Sequence, residues 1–380
     1  MKVDVSPQLL RWACARAGYP ERFLTIKFPK LTHWLRGEDK PTLRQLERFA
    51  HITHAPVGFF FLPEPPGEPI PIPDFRTAGN VRIGRPTPDL LDTIYLCQQR
   101  QEWYREYAST AGERPLSFVG SARVTDDVVG TAERIREALR FNLEERSQLS
   151  TWTDALRRFI EEADALGVLI MVSGVVGSNN RRKLNPAEFR GFALSDPLAP
   201  LIFINGADTK AAQIFTLAHE LAHLWLGHSA LSDADPSTAP ENEVERWCNA
   251  VAAELLVPLG ALRTSLKAGE EVREALDRLA RQFKVSTLVI LRRLHDVGHL
   301  SRERFWAEYE SELERLRRFP LSSGGDFYLA TAARVGKRFA RAVAVAAMEG
   351  RTSFTEACRL LGFKKMSTFR ELSKSLEVAG

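Results

Sequence analysis

The residues with the greatest chemical promise are His219, Glu220 and His223, which stand together in the run Ala218-His219-Glu220-Leu221-Ala222-His223. Two histidines four positions apart on a helix share one face, so a single metal ion can reach both. Glu220 follows the first histidine directly, a position from which a carboxylate can take a proton from water while staying off the metal. A catalytic zinc lowers the pKa of bound water towards ~7. Hydrolysis of a peptide bond by activated water is the chemistry this spacing indicates.

Zinc of the catalytic kind takes three protein ligands and leaves one position open, so a third side chain must come from elsewhere. The next segment, ENEVERWCNAVAAELLVP, offers Glu241, Glu243, Glu245 and Glu254. At ~100° per residue, Glu245 shares a helix face with Cys248, Asn249 and Ala252, which are small or weakly polar and suit close approach by a second helix. Glu243 and Glu254 fall roughly opposite and are expected to face solvent. Glu241 lies near the right face but at a fraying start just after Pro240. Glu245 is therefore the expected third ligand of a His2Glu site, with zinc as the expected cofactor. Iron and manganese also accept imidazole and carboxylate. The bland alternatives are a pair of hydrogen-bonded helix histidines, and a Glu245 that merely favours a helix dipole. His295 and His299 share the four-residue spacing, but Asp296 replaces the base and Gly298 interrupts the helix, so they read as a helix end. His228, after Gly227, reads as a loop histidine.

The elements that must position these groups follow from the surrounding pattern. KAAQIFTLAHELAHLWLG, rich in Ala and Leu and free of Pro and Gly before Gly227, is a helix. Ahead of it, VLIMVSG, FRGFALS and PLIFIN are short β-rich runs separated by Gly, Asn and Pro, which predict a small sheet. The run Pro200–Asn205 is expected at the edge of that sheet, where an extended peptide could add as a further strand. Helical spacing recurs from Thr87 to about Ala111 and from Thr131 to Leu143. The first 60 or so residues read as short helices broken at Gly18-Tyr19-Pro20, Gly37-Glu38 and Pro41-Thr42, and PEPPGEPIPIPDF must then run extended. The fold expected is mainly α with a small β-sheet, that is α+β, divided as helical residues 1–65, a Pro-rich linker 66–86, a helical region 87–150, a peptidase core 151–265, and helical regions 266–320 and 321–380.

Composition narrows the class. At 380 residues, 44% hydrophobic and 26% charged, the chain has the make-up of folded globular domains and the length for more than one. No run is apolar enough for a signal core or a membrane span. The four cysteines are scattered without a CxxC pair, which fits a reducing cytoplasm. A net charge of +4 permits contact with an acidic partner without demanding it.

AHELAHLWLG followed by ERWCNAVAAELLVP resembles the ImmA/IrrE family of metallopeptidases over roughly Phe159 to Pro258. The resemblance implies a zincin-like, gluzincin-type core in which His219, His223 and Glu245 bind zinc and Glu220 is the general base. It also implies a protein partner, a repressor or a member of a toxin–antitoxin pair, that is cleaved or, in the alternative, only bound by a regulator built on a peptidase-like fold. WLRGEDKPTLRQLERFA resembles part of an Xre-type helix-turn-helix, which makes DNA a possible partner through Lys30, Thr32, His33 and Arg36. A solvated helix face is the competing reading of those four. The C-terminal run SFTEACRLLGFKKMSTFRELSKSL reads either as a second helix-turn-helix or as a packing hairpin, with Lys364, Lys365, Arg370 and Lys374 exposed.

Overall fold

The computed structural model describes residues 1–75, 77–78, 81–82, 85–232, 242–317, 334–363 and 365–376. They fall into two compact units, one of residues 1–71 and 84–94, the other of residues 72–83 and 95–380.

The first unit carries α1 (Pro7–Ala17), α2 (Glu21–Lys27), α3 (Leu31–Arg36), α4 (Leu43–Thr53) and a 3-10 turn at Val57–Phe61. The turn signals of the sequence are used as caps. Ser6 accepts the Gln8 amide ahead of α1, and Thr42 with Gln45 forms a reciprocal capping box at the start of α4. Leu9, Leu10, Trp34, Phe49 and Phe60 fill its core.

α5 (Pro88–Thr110) leads into the second unit, where β1 (Thr77–Ala78) and β2 (Val81–Arg82) form a short antiparallel pair. There follow α6 (Val128–Ala138), α7 (Leu143–Gln148), α8 (Trp152–Ala165), β3 (Leu169–Ser173), β4 (Gly191–Leu194), β5 (Leu201–Asn205), α9 (Lys210–Leu226), β6 (Ala230–Ser232) and α10 (Glu243–Leu256). α11 (Leu259–Ser265), α12 (Val272–Phe283), α13 (Thr287–Asp296), α14 (Arg302–Arg317), α15 (Lys337–Met348), α16 (Phe354–Leu361) and α17 (Met366–Ser375) complete the described elements. The helix expected from Thr131 to Leu143 breaks instead near Ala138. Arg140 takes a left-handed conformation, Phe141 turns inward to stack on Phe159 at 4.5 Å, and Asn142 caps a new helix, so core packing overrides the local periodicity.

The sheet order is β3-β5-β4-β6, with β5 parallel to β3 and antiparallel to β4, and β6 antiparallel to β4. This corrects the expected place of Pro200–Asn205. β5 lies inside the sheet, bonded on both sides, and every residue of it is buried. A strand with both edges taken has no row of free N–H and C=O groups to offer a peptide. Short β-branched runs read alike at centre and edge, and only the pairing distinguishes them. β6, which the sequence reading passed over, is the outer strand beside β4.

α9 lies against β4 and β5, and its residues Gln213 to Leu226 are all buried. Thr209 caps its start and Gly227, at φ 73°, ends it. A Cβ at Gly227 would sit 3.0 Å from Gly120 Cα, where the Gly120 and Ala122 amides bind the Leu224 and Trp225 carbonyls. Glycine is thus required there both by conformation and by close approach. A helix buried on all sides is normally apolar throughout. His219, Glu220 and His223 are therefore polar groups placed where their desolvation must be compensated.

Candidate metal centre

α9 and α10 pack face to face, and the small residues Cys248 and Ala252 on α10 let them approach, as the helix-face argument required. Asn242 caps α10 by accepting the Val244 and Glu245 amides, which fixes Glu245 in the first turn. The expected ligands meet at this seam. His219 Nε2 lies 3.2 Å from Glu245 Oε2 and 3.1 Å from His223 Nε2, and His223 Nε2 lies 3.0 Å from Glu245 Oε1.

Those separations test the fit of a metal. Bonds of about 2.05 Å arranged tetrahedrally put ligand atoms about 3.3 Å apart. One atom from each of the three side chains lies within 4.8 Å of the others, and all three residues are buried. His219 Nδ1 points away from the cluster to Asn249 Oδ1 at 2.9 Å, so a proton on Nδ1 leaves the Nε2 lone pair facing inward. Both Glu220 oxygens and His223 Nδ1 are buried without a protein hydrogen-bond partner, a cost that a purely structural cluster would leave uncompensated. The set therefore suits a cation of the zinc type.

The electrostatics agree. Burial raises the Glu220 carboxyl to about 8, with the Glu245 charge adding to the shift and His219 opposing it. A cation beside it would pull that value back down. Burial also raises Glu245, but the neighbouring histidines outweigh it and hold the carboxyl well below its usual range. For His219 burial disfavours the charged ring, yet Glu245 overcomes this and the net shift is upward, whereas at His223 burial wins and the shift is downward.

Glu243 is exposed on α10, as expected, and Glu241 lies outside the described residues. Glu254 departs from its expected place. It is buried and paired with Arg293 of α13, whose Nε also donates to the Val257 carbonyl at 2.9 Å. Periodicity puts it on the outer face of α10, and a single helix's pattern cannot show that a third helix covers that side. Two residues of the centre were not singled out for a role: Asn249, which sits four residues after Glu245 on the same face, and Ser232 of β6. Ser232 Oγ lies 3.3 Å from His223 Nε2 and 3.5 Å from Glu245 Oε1. Helical spacing could have nominated Asn249, while nothing in the local pattern marks Ser232.

His228 is exposed, and His295 ends α13 beside Asp296. Lys30, Thr32, His33 and Arg36 lie on α3 and its N-cap in the first unit. There Lys30 pairs with Asp39 at 3.1 Å, while His33 and Arg36 reach Glu38 at 2.7 and 3.8 Å. At the C-terminus α16 and α17 pack against α15, Phe369 and Leu372 are buried, and Lys365, Arg370 and Lys374 are exposed. Lys364 and residues 321–333 lie outside the described set.

Residues 163–295 match the family model of the IrrE N-terminal-like domain, a peptidase family. Residues 335–375 match a domain family of unknown function. The radiation response metalloprotease IrrE of Deinococcus radiodurans is 34% identical over 121 residues, which cover 30% of this chain and 36% of that protein. The chain thus spans about a third of the length of the curated relative it matches. The family match and the His-His-Glu cluster fall on the same stretch of chain, and together they support a metallopeptidase centre.

Proposed function

We propose that this chain is a zinc-dependent endopeptidase that cuts an extended segment of a protein partner, of the repressor or antitoxin class. The observation that carries this reading is the convergence of His219, His223 and Glu245 at tetrahedral spacing with Glu220 adjacent and buried. His219, His223 and Glu245 would hold the ion. When bound, zinc supplies Lewis acidity towards the scissile carbonyl and lowers the pKa of water.

The remaining chemistry belongs to the chain. Glu220 accepts the proton of the attacking water and delivers it to the leaving amine. Burial raises the carboxyl and a bound cation lowers it, and these opposed effects are what let one group first take and later give the proton. Asn249 holds the His219 ring in the tautomer that keeps Nε2 unprotonated. The low-dielectric seam between α9 and α10 strengthens each of these interactions.

The test compares wild type with Glu220→Gln. Both should take up zinc near stoichiometrically, and only wild type should cleave a proteome-derived peptide library, read by mass spectrometry. Wild-type protein that takes up zinc but cuts nothing would leave a regulator that binds its partner on a peptidase-like fold. A buried, unpartnered general base argues against that second reading, because a binding platform has no use for it. The α3 surface with Lys30, Thr32, His33 and Arg36 is the face proposed to meet DNA. Salt-dependent duplex binding that Arg36→Ala weakens would support it, and an unchanged salt slope would remove it.

A further inference from the structure

The outer edge of β6 is taken by the chain itself. Leu231 N–H donates to the Pro73 carbonyl at 2.9 Å, and Phe75 N–H donates to the Leu231 carbonyl at 2.9 Å, so that Asp74 pairs with Leu231 as a parallel bridge. Ile72 is buried, and the Phe75 ring lies nearly parallel to the His223 ring, at 13°, with centroids 6.3 Å apart. The next residue of β6 is Ser232, whose hydroxyl touches His223 and Glu245. The end of the Pro-rich run is therefore a one-residue strand laid beside the metal centre, with an aromatic side chain over one of its ligands.

We propose that Ile72–Phe75 is an intramolecular plug that occupies the peptide-docking edge of this peptidase and must leave β6 before a substrate strand can pair there. The proposal rests on the metallopeptidase reading. Of the two edges of β6, one is bonded to β4 and the other to this segment, so among the described residues both edges beside Ser232 are taken. Sequence explains why the plug is weak. Pro71 and Pro73 have no N–H to extend the ladder on its N-terminal side, and among the described residues the pairing consists of two backbone bonds. What holds it is the tether, which supplies an effective concentration on the order of millimolar for a short linker. A partner that engages elsewhere on the chain, or binds this edge more tightly, displaces it.

The test uses the full-length chain and a fluorescein-labelled synthetic peptide of residues 70–78, Ile-Pro-Ile-Pro-Asp-Phe-Arg-Thr-Ala, read by fluorescence anisotropy. One variant combines Ile72→Gly, Pro73→Ser, Asp74→Gly and Phe75→Ser, and a milder one is Phe75→Ala. The combined variant should bind the peptide at least ~10-fold more tightly than wild type, with Phe75→Ala between them, because the tethered competitor is gone. In wild type, amide hydrogen exchange should find Leu231 N–H protected, and the combined variant should lose that protection. Equal peptide affinity in wild type and a folded combined variant overturns the proposal. So does a folded combined variant that fails to bind, or a wild-type Leu231 amide that exchanges at the free-chain rate. Should the combined variant not fold, the Phe75→Ala affinity and the wild-type exchange decide the matter. The binding arm is run metal-free as well as zinc-loaded, so a wild type unable to take up zinc refutes the metallopeptidase reading without touching this result.

Discussion

Asn249→Ala separates a metal site from a chance meeting of polar side chains. Asn249 Oδ1 lies 2.9 Å from His219 Nδ1, on the side of the ring away from Glu245, and the ring is fully buried. An alanine leaves the Nδ1 donor without an acceptor and frees the ring to adopt the other tautomer, which would turn a protonated Nε2 towards the cluster. An imidazole bound to a cation is electron-poor, so this hydrogen bond belongs with those to charged groups, worth roughly 1.5–3 kcal/mol. That corresponds to about a 10–100-fold loss of metal affinity, at 1.4 kcal/mol per factor of ten. Competition against a chromophoric zinc chelator at pH 7 measures it directly. Asn249→Asp, which keeps an acceptor in place and adds charge, should hold or tighten affinity, and Glu243→Gln on the exposed face should change nothing. Zinc affinity within twofold of wild type in a folded Asn249→Ala protein, or equal losses for Ala and Asp, would refute the assignment of the His219 tautomer.

Chelation of the zinc-loaded protein should lower its thermal midpoint, because a ligand bound only to the folded state stabilises it by mass action; equal melting curves with and without chelator would contradict the site. Gly191→Ala places a Cβ 2.5 Å from Thr216 Cγ2, 2.8 Å from the Phe203 carbonyl and 3.4 Å from Glu220 Oε1. It should destabilise the fold by about 1–3 kcal/mol in chemical denaturation, with zinc uptake reduced; a neutral result would mean that α9 lies farther from β4 than described. Glu254→Ala removes the buried carboxylate from Arg293, which keeps Asp296 at 3.3 Å and the Val257 carbonyl at 2.9 Å, and should cost about 1–3 kcal/mol, whereas a loss no larger than that of a surface change would show the pair to be solvated. At Glu312 burial favours the neutral acid, but Arg315, Thr287 and Arg273 prevail and depress its pKa below the usual 4.5. The stabilisation is then present above that value and lost as pH falls through the folded-state pKa. Melting temperature should therefore drop more steeply on acidification in wild type than in Glu312→Gln, and parallel slopes would exclude the linkage.

Much of this centre is legible in the chain because helical geometry is local. The i, i+4 spacing of His219 and His223 fixes one face of α9, and the same arithmetic selects Glu245 by its company of Cys248, Asn249 and Ala252. The mainly helical fold with a small sheet was legible for a similar reason, since β-rich runs and capped helices differ in period. Strand order is another matter. β5 and β3 pair in parallel only because the chain between them folds back through β4, so no local signal could place β5 inside the sheet and β6 at its rim. Glu254 defeats a single-helix argument because Arg293 arrives from α13, and Ser232 joins the His219–His223–Glu245 cluster from a three-residue strand with no pattern of its own. The position of the Pro-rich run is equally non-local. Its prolines state that the backbone is extended, but only the tertiary fold brings Phe75 to His223. Periodicity determines which residues share a face, while which faces meet depends on contacts between segments far apart in the chain.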